Sequence, residues 1–440
     1  MSRRSRGLPP GPHEVRVAGV THAGQGVARV EGKAVFVPGA LPGELVRLTV
    51  VDDRARFARG RLDAVLEPGD GRTEPPCPYA QDCGGCDLQH ATPAAQRALK
   101  TRIVREQLER LGGIEDPPVE DCVAVSPAAG YRNQAVLHAG PDGRLGFHRA
   151  GTHEVVAVDR CLVLSAAAQA VRDAVGDDTG AAQLTIRAHG ETGRSAAVLT
   201  PGPGPLELPE APADLLLAQP DGSLLTLRGS DTLEAAVAGH AYHFDPTSFF
   251  QANTAGAESL ITTVLEAAGE IAGLAVWDLY AGVGLLSLPL AAAGAEVVAV
   301  EGHGPAAAHA RANAERAGLD LHVLAEPVER MVRRAAADLT GATGAARGSS
   351  DGSAGTHHLD PPDVVVLDPP RTGAGPRVIE SLIALAVPSI VLVACDVGAL
   401  ARDTRHLHTG GYVLESARPL DLFPMTHHVE VVASYRPSTG

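Results

Sequence analysis

From about residue 250 onward, five short apolar runs recur: AVWDLY, EVVAVE, LHVLAE, DVVVLD and SIVLVAC, with helical segments between them. Strands separated by helices of this length return to the same edge of the sheet, so they pair side by side in parallel. The C-terminal part of the chain is therefore expected to be an α/β domain, Rossmann-like, with a mostly parallel doubly wound sheet. In open sheets of this kind the chemistry sits beyond the carboxyl ends of the strands.

What closes each strand is informative. The first runs into DLYAGVG and a helix, so that Gly282 and Gly284 allow a ligand close to the backbone at a helix N-terminus. Position 287 is Ser rather than the third Gly that a dinucleotide pyrophosphate needs. Glu301 ends the second run, 23 residues after Asp278, where a carboxylate can hold both hydroxyls of a ribose. The fourth run ends in Asp368-Pro-Pro-Arg371, whose prolines stiffen the exit loop beside a further carboxylate. Together these residues point to S-adenosylmethionine rather than to NAD.

The fifth run ends at Cys395, ahead of the helical segment GALARDTRHL. A helix N-terminus is expected to lower the pKa of this thiol. A uracil C5 is too weak a nucleophile to attack a methyl sulfonium directly. Adding a thiolate at C6 turns the ring into an enolate whose C5 can take the methyl, after which a base removes the C5 proton and the thiolate leaves. Cys395 is the candidate nucleophile. Glu430, which interrupts an apolar strand after two histidines in FPMTHHVEVVASY, is the candidate base.

The N-terminal half differs in character. Residues 12–66 alternate apolar and polar over short runs punctuated by Gly and Pro, the pattern of a five-strand OB-like β-barrel. Residues 1–66 carry 11 Lys+Arg against 6 Asp+Glu, a net of +5 in a chain whose total is −15. A basic module on an acidic body suits a localised nucleic-acid contact. After a linker at 67–76 come Cys77, Cys83, Gly84, Gly85 and Cys86 on one short loop, with Cys161 further on. Four thiolates suit a [4Fe–4S] cluster or a zinc site. Cys122 is expected to be an ordinary small apolar residue. ATPAAQRALKTRIVREQLERLG reads as a helix from Thr92-Pro93 to Gly112, and 130–245 as a strand-rich α+β region. The low-complexity residues 339–362 read as a disordered surface insertion. Three domains are expected: a barrel at 1–66, a central α+β domain with the cysteine loop at 67–249, and a donor-binding domain at 250–440. No run approaches the ~20 apolar residues of a membrane span. The basic N-terminus has no apolar core behind it, so a cytoplasmic protein and, by default, a monomer are expected.

The order of barrel, CGGC, SFFQAN, DLYAGVG, DPPRTGAG, CDVGALARD and HHVE resembles the TRAM-domain RNA (uracil-5-)-methyltransferases, in particular the iron–sulfur enzymes acting on 23S ribosomal RNA. The resemblance runs over nearly the whole chain. It implies a [4Fe–4S] cluster on Cys77, Cys83, Cys86 and Cys161. It also implies S-adenosylmethionine contacts from Gln251, Tyr280, Glu301 and Asp368, with Cys395 as nucleophile and Glu430 as proton acceptor. Its substrate would be RNA, ribosomal RNA ahead of transfer RNA. The chain departs from the family's usual pattern at Ala281, Leu285, Asp396, Val397 and Pro327, with Glu326 as the polar neighbour of the last. Two rival readings are a radical methylthiotransferase, which the cysteine spacing disfavours, and a non-catalytic RNA-binding or ribosome-assembly protein with a relict pocket.

Overall fold

The computed structural model describes residues 7–189, 194–339 and 360–438, so residues 340–359 of the expected insertion lie outside the described residues. The C-terminal sheet contains β1 (Ala275–Leu279), β2 (Glu296–Val300), β3 (His322–Leu324), β4 (Val364–Leu367), β5 (Ser389–Ala394), β6 (Tyr412–Asp421) and β7 (Glu430–Pro437). Its order is β3-β2-β1-β4-β5-β7-β6, with the two-residue strand Val123–Ala124 added beside β6. The first five strands pair in parallel, and β7 runs antiparallel to both neighbours. The chain winds outward from β1 in both directions, so the crevice between β1 and β4 is the topological switch point.

The apolar runs are continuous because both faces of this sheet are covered. Trp277, Leu279, Val365, Leu367, Ile390 and Leu392 point into one core. Val276, Val364, Val366, Val391 and Val393 point into the other. Helices Val328–Leu339, Pro376–Ala384 and Val397–Thr409 line the first face, and Thr254–Ala268 and Ser287–Ala292 the second. The hairpin Leu233–Val237/His240–Phe244 also joins the second core, through Leu233, Tyr242 and Phe244.

The helix at Pro93–Gln107 begins as its sequence predicts: the Thr92 hydroxyl accepts from Ala95 N–H at 3.3 Å and Pro93 opens the first turn. It ends in a π-turn at Leu108–Gly112, closed by Gly113 in the left-handed conformation (φ 74°). Its inward face packs in the first core of the C-terminal sheet through Leu99, Ile103 and Val104. Lys100, fully buried, pairs with buried Asp421 at 2.5 Å and donates to the Phe423 carbonyl at 3.1 Å.

Residues 130–228 form a seven-stranded sheet, antiparallel except where Arg194–Pro201 meets Asp214–Ala218. The helix Ala166–Val175 covers it. At the N-terminus the hydrogen bonding defines six barrel strands rather than five. The first run is bent at residues 17–18, so that Pro12–Arg16 pairs with Leu45–Asp53 while Gly19–Val20 pairs with Gly26–Val30. One bent strand thus joins both edges and closes the barrel. Among the described residues no helix is long and apolar enough to cross a membrane.

Removing Lys100 would strand the Asp421 carboxylate in the core. Lys100→Met is expected to cost about 3–5 kcal/mol in urea unfolding, and adding Asp421→Leu to recover most of it.

Candidate active site

The register of the sheet builds the reaction centre. β5 and β7 pair antiparallel from Ile390↔Tyr435 to Ala394↔Val431, so Cys395 and Glu430 stand one residue beyond the last pair, near enough for the Glu430 charge to act on the thiol. β4 runs parallel to β5 with Leu367 opposite Leu392, so Asp368 lies at the adjacent strand end. Cys395 is half-buried and Glu430 is buried, at 3 % exposure.

Burial pushes the Cys395 thiol up to about 12, and the negative charges of Glu430 and Asp368 push the same way, opposed by Arg371. This reverses the expectation from sequence. The N-terminus of helix Val397–Thr409 is occupied by Asp396, whose carboxylate accepts from Ala399 N–H at 2.7 Å. The helix field is spent on that carboxylate rather than on the thiol. Burial also raises Glu430 well above the usual carboxylate range, with Asp368 adding to it and Arg371 opposing. Burial raises Asp368 to about 6.

A cleft beside these groups is lined by Phe249, Gln251, Asp278, Tyr280, Gly282 and Asp368. Four of the six residues expected at the cofactor, Gln251, Tyr280, Gly282 and Asp368, therefore share one wall. The turn after β1 has Tyr280, Gly282 and Gly284 all at positive φ (65°, 57° and 96°). At Gly284 a side chain is excluded twice, since a Cβ would also lie 2.8 Å from Leu288 Cδ1. Glu301 lies behind the turn. Its carboxylate accepts from Gly282 N–H at 2.9 Å and from His303 N–H at 2.6 Å, so it shapes the turn while each oxygen keeps a second lone pair. The turn is braced further by Tyr242 OH to the Leu285 carbonyl (3.1 Å) and by Asn313 Nδ2 to the Val283 carbonyl (3.0 Å).

Sequence reasoning did not assign Asp278 a role. It is buried in the cleft wall, accepts the Ser287 hydroxyl, and is raised to about 7 by burial. Its Oδ1 is buried without a hydrogen-bond partner, as an acceptor awaiting a ligand's donor would be. Asp403 was missed as well. From the helix after Cys395 it accepts Ala374 N–H and Gly375 N–H (2.8 and 3.2 Å), tying the loop after Asp368 to that helix. Glu326 is engaged elsewhere, held by Arg334 through two contacts of 2.8 and 2.7 Å.

Cys77, Cys83, Cys86 and Cys161 face one cavity, shared with Phe147, Val158 and Leu162. Burial raises Cys83 and Cys161 and pushes Cys86 to about 12, with the other cysteines adding to each shift. Gly84 N–H donates to the His148 carbonyl at 2.9 Å, and Gly85 N–H to Cys83 Sγ at 3.4 Å. Among the described residues no three His, Cys or acidic side chains close on a point as a single metal ion requires. The thiols surround a space instead. Cys122 is buried beside Thr101, as expected of a small apolar residue.

Comparison with known proteins gives a consistent result. The family described as tRNA (Uracil-5-)-methyltransferase matches residues 229–434, and the TRAM domain matches 13–62. An uncharacterized RNA methyltransferase of Gloeobacter violaceus is 32% identical, covering 96% of this chain and 95% of its own. The 23S rRNA (uracil(1939)-C(5))-methyltransferase RlmD of Alkalilimnicola ehrlichii is 33% identical, covering 99% of each. Among solved structures, the tRNA (uracil-54, C5)-methyltransferase of Pyrococcus abyssi, crystallised with S-adenosyl-L-homocysteine, has the same fold. Its TM-score is 0.70 at 22% identity, covering 96% of this chain and 100% of that one.

A thiol held near 12 is protonated at neutral pH and reacts slowly with electrophiles. Iodoacetamide labelling of Cys395, read by peptide mapping of the unliganded protein, is expected to lag a free cysteine at pH 7 by at least about tenfold and to keep rising past pH 10. Labelling that reaches a plateau below pH 8 would contradict this environment.

Proposed function

The chain belongs to the RNA (uracil-5-)-methyltransferase family, and from that premise we propose that it methylates C5 of a uridine in 23S ribosomal RNA through a covalent bond from Cys395 to C6. S-adenosylmethionine is the methyl donor. The observation that carries the reading is the ladder placing Cys395 alongside Glu430, next to the cleft of Gln251, Tyr280, Gly282 and Asp368. A relict pocket in a non-catalytic RNA-binding protein has no reason to keep a thiol and a buried carboxylate in that register.

The raised pKa values give the residues an order of action. In the free protein the Cys395 thiol keeps its proton. A positively charged donor held in the cleft would oppose the field of the carboxylates and favour the thiolate, the thiol proton passing to solvent. Cys395 then adds to C6, and the C5–C6 π electrons move toward O4. C5 takes the methyl group as the C–S bond of the donor breaks. Glu430 accepts the C5 proton, the double bond re-forms, and the Cys395 sulfur leaves with its electron pair. The orphaned Asp278 Oδ1 and the Gln251 side chain would hold polar groups of the donor.

The working parts are read as 1–66, 67–249 and 250–440, except that residues 88–124 and the 233–244 hairpin are built onto the last. On the barrel, Phe36 lines a groove with Arg59 and Arg61 and lies 5.3 Å from the Phe57 ring. Aromatic faces beside guanidinium groups suit splayed bases and phosphates. The target uridine must leave any stack to reach Cys395. Ribosomal RNA is favoured over transfer RNA by the full-length similarity to the 23S enzyme, and the cytoplasm is where such a substrate is met.

A [4Fe–4S] cluster is the reading of the four cysteines that the family resemblance supports: they line one cavity, where Gly85 donates an N–H···S bond to Cys83. Cys77, Cys83, Cys86 and Cys161 would hold it. Methyl transfer consumes no electron, so the cluster's contribution there would be to fix the loop.

RNA containing 5-fluorouridine at the target, which offers no C5 proton to remove, is expected to form a stable adduct with wild-type protein and donor that maps to Cys395. Cys395→Ala is expected to abolish both adduct and methylation while retaining RNA affinity. Failure of a demonstrably active enzyme to form the adduct would overturn the covalent route, and methylation of transfer RNA alone would overturn the ribosomal target. Anaerobically purified protein is expected to contain about four iron and four sulfide per chain; zinc without iron would overturn the cluster.

A further inference from the structure

Residues 421–429 join β6 to β7 and deliver Glu430 to its place beside Cys395. This loop is gripped by residues that follow the cysteine loop. Asp87 and Leu88, immediately after Cys86, donate their N–H groups to the Met425 carbonyl at 3.1 and 2.9 Å. The Gln96 side chain accepts from Met425 N–H at 2.8 Å and donates to the carbonyls of Leu88 and Ala91 at 3.1 and 2.8 Å. Asp87 Oδ1 accepts from His427 N–H at 2.8 Å, and its other oxygen meets the His427 ring. Met425 is held at φ 69°, in the left-handed region, although it is not glycine. A conformation of that kind persists only where the surroundings over-determine it, and here the fixing contacts come from Asp87, Leu88 and Gln96.

We propose that Asp87 and Gln96 are positioning residues for Glu430: they fix the left-handed turn from which β7 starts, and so make the order of the cysteine loop a condition for correct placement of the base. The inference rests on the reading of Glu430 as proton acceptor. Neither residue touches the substrate. Both act on the step that Glu430 performs, so their loss should stall the reaction after methyl transfer and before release of Cys395.

The test is multiple-turnover methylation of substrate RNA, with the covalent adduct followed in parallel, by Asp87→Ala, Asp87→Asn and Gln96→Met, each alone and combined with Glu430→Gln. Asp87→Ala is expected to lower kcat by about tenfold to a hundredfold, with KM for RNA and donor falling alongside it and kcat/KM nearly unchanged, because the slowed step follows methyl transfer. Methylated RNA should accumulate bound to Cys395 on a denaturing gel. Asn at position 87 keeps an acceptor for His427 N–H and an amide for the ring, so it should restore most of the rate and clear the adduct. In the Glu430→Gln background, Asp87→Ala should add nothing. The proposal is overturned if Asp87→Ala turns over like wild type. It is equally overturned if activity falls with no adduct, or if the loss multiplies fully onto Glu430→Gln. Should Asp87→Ala fail to fold, Gln96→Met carries the same three readouts. If Glu430→Gln alone accumulates no adduct, the assignment of the base has failed and the positioning role falls with it, a result read in an arm where Asp87 is intact.

Discussion

The reaction centre depends on the register between β5 and β7. Ile390, Leu392 and Ala394 share one core with Val431, Ala433 and Tyr435, while Val391, Val393 and Val432 fill the other. A slip of one residue would exchange the two faces along the whole strand, and both faces are buried. The Tyr435 hydroxyl, 2.7 Å from that of Thr404, fixes the same alignment from the far end. Packing over the five ladder pairs thus decides where Cys395 and Glu430 meet, and the two polar residues need supply none of the energy that brings them together.

That division of labour permits an electrostatically poor arrangement. Asp278, Asp368 and Glu430 are carboxylates pushed upward by burial, and the charge of Asp368 adds to the shift of the other two. In a domain built for stability alone such a cluster would be replaced by apolar residues. Here Asp278 and Asp368 stand in the wall of one cleft, with Glu430 at the neighbouring strand end. Several carboxylates of raised pKa around one cleft mark a functional site when geometry agrees, as it does through the strand-end register. Burial, and with it the field of Glu430 and Asp368, also keeps the Cys395 thiol protonated at neutral pH.

Much of this was legible in the sequence. The central apolar runs are buried on both faces, so their continuity is a direct record of the sheet, and the residues closing them are the ones at the strand ends. Gly284 announces its turn because a side chain at φ 96° would be strained there. Three kinds of information left no local trace. The bend at residues 17–18 lies within an ordinary alternating run, so one strand serving both barrel edges reads as a single strand. The pKa of Cys395 depends on carboxylates delivered by other strands, and on Asp396 filling the helix cap that a sequence reading assigns to the thiol. The contacts of Asp87 with His427, Lys100 with Asp421 and Asp403 with the 373–375 backbone join residues far apart in the chain. No periodicity can record such pairs.

Those distant pairs also explain why the polypeptide does not behave as three beads on a string. Residues 88–122 pack into the core of the C-terminal sheet through Leu88, Ile103, Leu108 and Cys122, and Val123–Ala124 adds a strand to its edge. On the opposite side the barrel closes in as well: a Cβ on Gly24 would lie 2.8 Å from the His427 Cβ. The loop ahead of Glu430 is therefore wedged between the barrel, the segment after the cysteines and the sheet itself. A left-handed methionine in a polar loop could not hold its shape in an isolated C-terminal domain, because its partners all precede it in the chain. The four thiols, spanning residues 77 to 161, are synthesised before the loop they come to brace. The segment that follows the cysteines can thus bear on the last strand through geometry alone, by giving it a rigid surface on which to dock.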